Sequence, residues 1–149
     1  MTKIIVFSDS HGAKANIDKL INENNFDYLI FLGDGLNDLN LYENLPNLKK
    51  VRGNCDYFSF EKDELFLKLE NKNILITHGN NYGVKRGLGA LIKYAYSIDA
   101  NIVLYGHTHR FAIDEINNIY FLNPGSLKSG SAMLLEINNN DIKIKALNI

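Results

Sequence analysis

The stretch KIIVFSDSHG, residues 3–12, is an apolar run followed at once by polar side chains, several of which can bind metal ions. Residues 3–7 form a β-branched and aromatic run of the kind found in strands buried on both faces. In residues 13–25, Ile17, Leu20 and Ile21 are spaced at i, i+3 and i+4 and therefore fall on one helical face. The sequence predicts a buried strand, a polar turn and an amphipathic helix, in this order.

The same order recurs immediately downstream. Residues 28–32 predict a second buried strand, residues 36–45 a second helix that Pro46 ends, and residues 49–52 a short third strand. A β-α-β-α-β order indicates a parallel sheet with right-handed crossover connections.

The rest of the chain predicts mainly strands. A short Asn71-Lys72 turn between two apolar runs predicts a hairpin, and the residues from 111 onward predict an antiparallel meander without a helix. The predicted elements are strands 65–70 and 73–77, a helix over 87–98, and strands 100–105, 111–116, 119–122, 131–137 and 142–147. About ten strands and three helices in one short chain predict an α/β fold with two packed mixed sheets and helices outside them.

The composition excludes several classes of protein. A formal net charge of −1 gives no electrostatic reason to expect nucleic acid or an anionic membrane as a partner. A lone cysteine excludes a disulfide framework and fits a reducing cytosol. Asp9 comes too early for a signal peptide, and no apolar run reaches the length of a membrane span. We therefore expect a soluble, cytoplasmic protein with a single domain over residues 1–149.

Side chains that can bind metal ions follow five of the predicted strands. In open α/β sheets the carboxyl ends of the strands converge on the ligand-binding crevice. Alone, Asp9 is equally well read as a helix cap and Asp34 as a turn residue, but every histidine of the chain belongs to this set. The joint arrangement predicts a metal site built from Asp9, His11, Asp34, Asn54, His78, His107 and His109.

The chemistry of these side chains narrows the choice of metal. The set mixes imidazole nitrogen with carboxylate and amide oxygen and has no thiolate pair, which argues against a structural zinc finger. Mixed N/O ligation suits Mn²⁺, Fe²⁺, Co²⁺, Ni²⁺ or Zn²⁺ better than Ca²⁺ or Mg²⁺. Because there are more ligands than one ion needs, we expect two ions. Pairs of metal ions about 3.5–4 Å apart recur in enzymes that catalyse in-line displacement at phosphorus.

Five short blocks follow one another along the sequence: Asp9-x-His11, Gly33-Asp34, Gly53-Asn54-x-Asp56, His78-Gly79 and Gly106-His107-Thr108-His109. In this order they resemble the signature blocks of the calcineurin-like metallophosphoesterase superfamily. A sixth block, Asn123-Pro124-Gly125-Ser126, is similar to a block of its small prokaryotic phosphodiesterase branch, the YfcE-like proteins. The resemblance of the five blocks runs from residue 9 to residue 109, and their combination is far more specific than any one of them.

The resemblance implies a four-layer α-β-β-α sandwich of two mixed sheets, the metallophosphoesterase fold. It also implies two divalent transition-metal ions, with manganese the first choice, and a hydroxide between them that attacks phosphorus. Asn54, Cys55, Asp56 and His78 are the implied catalytic residues. The implied ligands are Asp9, His11 and His109 for the first ion and Asn54, His78 and His107 for the second, with Asp34 bridging.

Two positions depart from the commonest pattern of the family. Cys55 stands where many members have a histidine that acts as general acid, and the YfcE-like branch resembles this chain in having cysteine there. The Cys55 thiol is either a proton donor, although a weaker acid than an imidazolium, or a small apolar filler. Asn80 stands where related sequences often have a second histidine after His78.

These features favour a phosphodiesterase that acts on small phosphodiesters. A phosphomonoesterase is the near alternative, but it would need more fixed positive charge than Arg52, Lys85, Arg86 and Arg110 provide. A non-catalytic protein-binding scaffold of the same fold would have lost metal ligands, whereas all seven are present here. The sequence leaves open the natural substrate, the native metal and whether the chain forms a homo-oligomer.

Overall fold

The computed structural model describes residues 1–149 and contains ten strands, two α-helices and four short 3₁₀ segments. The strands are β1 (Thr2–Phe7), β2 (Tyr28–Phe31), β3 (Leu48–Lys50), β4 (Glu64–Leu69), β5 (Lys72–Thr77), β6 (Ile102–Leu104), β7 (Phe111–Ile116), β8 (Ile119–Pro124), β9 (Ser131–Ile137) and β10 (Ile142–Asn148). The helices are α1 (Lys14–Glu23) and α2 (Gly89–Ser97), and the 3₁₀ segments are Leu36–Tyr42, Asn80–Tyr82, Val84–Arg86 and Leu127–Ser129. Neither α-helix has the length and apolar character needed to cross a membrane.

The strands form two five-stranded mixed sheets, as predicted. The first sheet has the order β10-β9-β1-β2-β3 and the second has the order β4-β5-β6-β8-β7. Strands β1, β2 and β3 run parallel, which confirms the parallel arrangement predicted for the first half of the chain. Strands β4 and β5 form the predicted antiparallel hairpin.

Alternating side chains on β1 connect the layers of the fold. Ile4 and Val6 are fully buried between the two sheets, in a cluster that also contains apolar residues of β5, β6 and β8. Ile5 and Phe7 are equally buried on the opposite face, where they join a cluster with Ile17 of α1. Helix α2 packs in the same way on the outer face of the second sheet. The result is the four-layer α-β-β-α sandwich expected from the sequence.

The predicted second helix over residues 36–45 is wrong in type and length, because the chain forms a 3₁₀ segment at Leu36–Tyr42. Asparagine and aspartate are poor helix formers because their side chains compete for hydrogen bonds with the backbone. Asp38 in this segment accepts hydrogen bonds from the Ser10 hydroxyl at 2.7 Å and the Gly12 N–H at 2.8 Å. These bonds fix the segment against the loop after β1.

The predicted antiparallel meander in the tail is right for the pairs β7–β8 and β9–β10 but wrong between β8 and β9, because the tail divides between the two sheets. Strand β7 pairs antiparallel with β8, but β8 pairs parallel with β6, while β9 pairs antiparallel with β1. The chain changes sheets through Gly125 and the 3₁₀ segment Leu127–Ser129, where the fully buried Leu127 packs in the cluster beneath α1. Leu127 is thus buried against the first sheet, far from its neighbours in sequence on β8. A contact between distant segments of this kind cannot be predicted from the apolar pattern of a single strand.

Replacing Gly33 should destabilise the fold strongly. Gly33 has φ +103°, and a Cβ there would lie 2.5 Å from the backbone nitrogen of Gly53. We expect Gly33→Ala to lower the free energy of unfolding by about 2–4 kcal/mol, measured by equilibrium denaturation in urea. As a matched control, Gly89→Ala at the start of α2 meets nothing within 4 Å and should raise that free energy by up to about 1 kcal/mol. Equal effects of the two substitutions would contradict the close approach at Gly33.

Candidate metal centre

The loops that follow β1, β2, β5 and β6 meet at one edge of the sandwich. The Asp9 N–H donates to the Gly33 carbonyl at 2.9 Å, and the His11 N–H donates to the Asp34 carbonyl at 3.1 Å. In the second sheet, the Gly106 N–H donates to the His78 carbonyl at 2.9 Å. Backbone hydrogen bonds therefore hold neighbouring strand ends side by side and bring their side chains together.

Asp9, His11 and His109 form the first cluster of potential metal ligands. The ligand atoms of these three side chains all lie within 4.8 Å of one another. Asp9 Oδ1 lies 3.1 Å from His109 Nε2 and 3.5 Å from His11 Nε2, and the two imidazole nitrogens are 3.3 Å apart. Asp9 is fully buried, whereas the two imidazoles are partly exposed.

The second cluster consists of Asp34, His78 and His107, whose ligand atoms also lie within 4.8 Å of one another. Asp34 Oδ2 lies 3.2 Å from His78 Nε2, and His78 Nε2 lies 3.2 Å from His107 Nδ1. Asp34 Oδ2 is also 3.8 Å from His11 Nε2 of the first cluster. The Asp34 carboxylate therefore lies between the two clusters.

The donor atoms fit divalent metal ions. Asp9 Oδ1 is buried and accepts no hydrogen bond, although a buried carboxylate oxygen without a partner is costly. In both clusters, imidazole nitrogens face one another at 3.2–3.3 Å, and two unprotonated nitrogens at this distance need a cation or a proton between them. A transition-metal ion satisfies the carboxylate oxygen and both nitrogens at once.

Hydrogen bonds orient His78, and hydrogen bonds and charges keep Asp34 ionised. The His78 Nδ1 atom lies 2.7 Å from the Leu32 carbonyl, so it carries the hydrogen and leaves Nε2 directed at Asp34. Burial alone would raise the pKa of Asp34. This effect of burial is outweighed by the hydrogen bond and charge of His78, the hydrogen bond from the Cys55 N–H and the charge of His11. Together they lower the pKa of Asp34 from 3.8 to about 2. Asp34 is therefore a carboxylate at neutral pH.

His107 is prepared in a different way. Its burial, followed by the positive charges of His78 and Lys85, lowers the pKa of the His107 imidazole. An imidazole must be neutral to coordinate a metal ion, so a lowered pKa favours the form that binds.

The backbone is strained throughout this region. Five of the seven predicted ligands have positive φ values although they are not glycines. Such residues cost of the order of 1–3 kcal/mol each and persist only where the surroundings impose them, often at functional sites. The five residues are Asp9 (φ 54°), His11 (φ 40°), Asp34 (φ 64°), His107 (φ 70°) and His109 (φ 63°).

Gly106 permits the close contact between the sheets that completes the first cluster. A Cβ at Gly106 would lie 2.2 Å from Ser8 Oγ and 2.9 Å from Asp9 Oδ2. This space is used by hydrogen bonds to Asp9 Oδ2, which accepts from the Ser8 hydroxyl at 2.6 Å and from the His107 N–H at 3.1 Å. Ser8 is a supporting residue that the sequence reasoning missed, because a serine at the end of a strand has no distinctive pattern.

Asn123 is a second supporting residue, from the block that follows the predicted ligands. Its buried carboxamide donates to the Gly106 carbonyl at 3.1 Å and to the Thr108 hydroxyl at 2.9 Å. Its oxygen accepts from the Gly125 N–H at 2.9 Å. The side chain thus fixes the loop that carries His107 and His109.

Asn54 and Cys55, two further predicted site residues, lie at the exposed rim. Asn54 Nδ2 is 3.5 Å from Cys55 Sγ. The ligand atoms of Cys55, His11 and Asp34 also lie within 4.8 Å of one another, so the thiol lies beside both metal-ligand clusters. Reduced hydration, followed by the negative charges of Asp34, Asp56 and Asp9, raises the pKa of the Cys55 thiol. The thiol is therefore protonated at neutral pH and is a weak acid.

Asp56, also a predicted catalytic residue, has both oxygens engaged by the backbone. Oδ2 accepts from the N–H groups of Asp34 and Gly53 at 2.7 and 2.8 Å, and Oδ1 accepts from those of Gly35 and Leu36 at 2.9 and 3.0 Å. Asp56 thereby joins the loops after β2 and β3 and holds the backbone of Asp34 in place.

Comparison with known proteins points to a single family. A model of the calcineurin-like phosphoesterase superfamily domain matches residues 2–140. The probable metallophosphoesterase YsnB of Bacillus subtilis is 31% identical over 130 residues, which cover 84% of this chain and 75% of that protein. Phosphodiesterase YfcE of Escherichia coli K12 is 28% identical over 182 aligned positions, which cover 99% of this chain and 94% of that protein.

Solved structures agree with these relatives. The crystal structure of a predicted phosphoesterase from Streptococcus pneumoniae superimposes with a TM-score of 0.84 and 27% sequence identity. The superposition covers 99% of this chain and 89% of that one. The arrangement of two mixed sheets with outer helices is therefore shared over nearly the whole length.

Replacing Asp56 should destabilise the loops around the centre. In Asp56→Asn one of the two acceptor oxygens becomes a donor, so two of the four N–H groups lose their partner. We expect the free energy of unfolding to fall by about 2–3 kcal/mol in equilibrium denaturation, since hydrogen bonds to charged groups contribute about 1.5–3 kcal/mol each. The control is Asp63→Asn, whose carboxylate is 51% exposed and pairs only with Arg52, and whose effect should stay below about 1 kcal/mol. Similar losses in both variants would show that Asp56 has no special role.

Proposed function

Because the chain belongs to the calcineurin-like phosphoesterase superfamily, we propose that it is a dinuclear-metal phosphodiesterase that acts on small phosphodiesters. The observation that carries this proposal is the position of Asp34, whose Oδ2 lies 3.2 Å from His78 Nε2 of one cluster and 3.8 Å from His11 Nε2 of the other. A carboxylate between two ligand sets suits a pair of ions better than a single ion.

In this proposal each cluster holds one ion. Asp9, His11 and His109 hold the first, His78 and His107 hold the second together with Asn54, and the Asp34 carboxylate contributes to both. When bound, two divalent ions lower the pKa of water and neutralise the negative charge of a phosphoryl group. Manganese is the proposed metal, because mixed imidazole and carboxylate ligation suits it.

The protein's own residues orient the ligands and the substrate. Ser8 and the His107 N–H hold Asp9 Oδ2, so that Oδ1 faces the imidazoles. The Leu32 carbonyl fixes the orientation of His78. The carboxamide of Asn54 lies at the exposed rim, where only the weak acceptor Cys55 Sγ, 3.5 Å from Nδ2, engages it, so it can donate to a phosphoryl oxygen as negative charge develops there.

The charge around the centre favours a diester over a monoester. A phosphodiester carries one negative charge, whereas a monoester carries nearly two at neutral pH. The cations near the ligands are sparse: Lys85 is exposed, and Arg52 Nε pairs with Asp63 at 2.7 Å. The name of the similar E. coli protein, a phosphodiesterase, supports the same preference.

The proposal is tested by removing and restoring the metal. The metal-stripped protein should be inactive, and reconstitution with Mn²⁺ should restore two ions per chain by elemental analysis. The restored protein should hydrolyse bis(p-nitrophenyl) phosphate faster than p-nitrophenyl phosphate. A large preference for the monoester would favour a phosphomonoesterase, and no turnover of either compound with two ions bound would contradict the proposed activity.

Asp34→Asn should remove most of this activity while the protein remains folded, because an amide cannot offer two anionic oxygens. We expect a loss of at least about 100-fold, since changes in residues that merely support metal ligands already cost about 10–100-fold. Asp141→Asn, an exposed carboxylate in the turn before β10, is the matched control and should leave turnover unchanged. Unchanged turnover in Asp34→Asn would exclude the bridging role.

Cys55→Ala should distinguish the two roles considered for the thiol. We expect Cys55 to be a poor proton donor, because a thiol is a weaker acid than an imidazolium, and we expect the substitution to slow alkoxide-leaving and phenolate-leaving diesters by similar, small factors. A proton donor would instead make the alkoxide substrate lose about 10²–10⁴-fold more, because a phenolate needs little protonation as it leaves. The ratio of the two losses, with metal content measured in parallel, therefore decides between filler and general acid.

A further inference from the structure

A cleft of about 710 Å³ opens beside the metal centre. At its inner end it is lined by His11, Asp34 and Cys55, and it extends outward between two surface segments. One segment is the 3₁₀ turn Leu36–Tyr42 and the other is the loop of residues 57–61 that follows the Gly53-Asn54-Cys55-Asp56 turn. A phosphodiester at the metal centre would thus extend one of its ester groups into this cleft.

Three aromatic side chains form one wall of the cleft and have almost no contact with the rest of the protein. Tyr57 is 76% exposed, while Phe58 and Phe60 are as exposed as in an extended chain. Leaving large apolar rings in water forgoes the stabilisation that burial would bring. Phe58 also has φ 63°, a strained conformation for a bulky residue. Exposed and strained aromatic residues beside a reaction centre suggest that they stack on a ligand.

The opposite wall offers hydrogen-bonding groups without protein partners. Asn37 and Asn40 both line the cleft and are exposed. They are spaced at i and i+3 in a 3₁₀ segment, so their side chains project from the same face. No hydrogen bond within the chain engages either carboxamide. A carboxamide both donates and accepts, which matches the edges of nucleobases.

The outer end of the cleft is acidic. Glu43 and Glu61 line it, and the one cation there, Lys50, pairs with Glu61 at 3.4 Å. Negative charge at the outer end of the cleft disfavours substrates with additional phosphate groups, such as oligonucleotides or diphosphates. The cleft therefore suits an uncharged planar group.

We propose that this cleft binds the nucleobase of a nucleoside phosphodiester, stacked on Tyr57, Phe58 and Phe60 and hydrogen-bonded at its edge by Asn37 and Asn40. This inference rests on the proposed function, because the phosphodiester must lie at the metal centre for the base to reach the cleft. The specificity of the enzyme is then for small phosphodiesters that carry one nucleoside.

The test compares p-nitrophenyl diesters that share a leaving group and differ in the second ester group: ethyl, phenyl, and 5′-thymidine or 5′-adenosine. We expect the Mn²⁺ holoenzyme to have at least about a tenfold higher kcat/KM for one of the nucleoside esters than for the ethyl ester, because base–aromatic stacking has roughly that effect. The phenyl ester should show a smaller preference over the ethyl ester, because its ring can stack but has no base edge. The double variant Phe58→Ala/Phe60→Ala should lose both preferences, with ethyl ester turnover unchanged.

The double variant Asn37→Ala/Asn40→Ala separates hydrogen bonding from stacking. It should reduce kcat/KM for the nucleoside ester by about fivefold, the effect of one hydrogen bond, and leave the phenyl and ethyl esters unchanged. Tyr96→Ala is the matched control, because Tyr96 is 71% exposed on α2 and lies outside the cleft. Equal kcat/KM for the nucleoside and ethyl esters, or equal losses for all substrates in the phenylalanine variant, would overturn the inference.

A binding measurement keeps the inference separate from the activity. If no diester is hydrolysed, titration of the Mn²⁺-loaded protein with thymidine and adenosine 5′-monophosphate by calorimetry still tests the cleft. Binding that weakens about tenfold in Phe58→Ala/Phe60→Ala but not in Tyr96→Ala supports a base subsite even when the proposed activity fails. The inference is overturned if neither nucleotide binds. It is also overturned if the phenylalanine variant keeps its nucleotide affinity and only loses self-association of the chain. In the second case the rings would serve an interface between copies of the chain.

Discussion

The buried carboxylate of Asp9 is the constraint on which the centre depends, because a charge in this position must be compensated. One of its oxygens is satisfied by Ser8 and the His107 N–H, and the other faces imidazole nitrogens without a hydrogen bond. Such a group is costly in a folded protein unless a cation neutralises it. The surrounding histidines, the glycine at position 106 and the left-handed backbone of the ligand loops are all arranged around this requirement.

The sandwich meets the requirement by fixing strand ends rather than by contributing side chains from its interior. Three apolar clusters, one between the sheets and one under each helix, hold the strands in register. Backbone hydrogen bonds then join the loop after β1 to the loop after β2, and the loop after β5 to the loop after β6. The strain of the positive φ values is tolerated because these rigid layers determine the path of each loop.

A second set of residues holds the loops without being part of the clusters themselves. Asp56 accepts four backbone hydrogen bonds and Asn123 makes three hydrogen bonds around the loop of His107 and His109. Groups that orient metal ligands in this way commonly affect metal affinity nearly as much as the ligands do. The loop of residues 57–61 begins directly after Asp56, so the same carboxylate also fixes the start of one wall of the cleft.

The strands, both α-helices and the position of the metal-capable side chains at strand ends could be predicted from the amino-acid sequence, because apolar periodicity and the residues that end a strand are local properties. The family resemblance implies that His11 and His109 bind one ion, but it is the tertiary structure that brings these side chains, 98 positions apart, to 3.3 Å from each other. The tertiary structure also decided that the tail would divide between the sheets, that Asp56 would bind the backbone, and that exposed aromatic rings would face Asn37 and Asn40. These features depend on packing between distant segments, and a hydrophobic pattern carries no information about which distant segment a loop or side chain will meet.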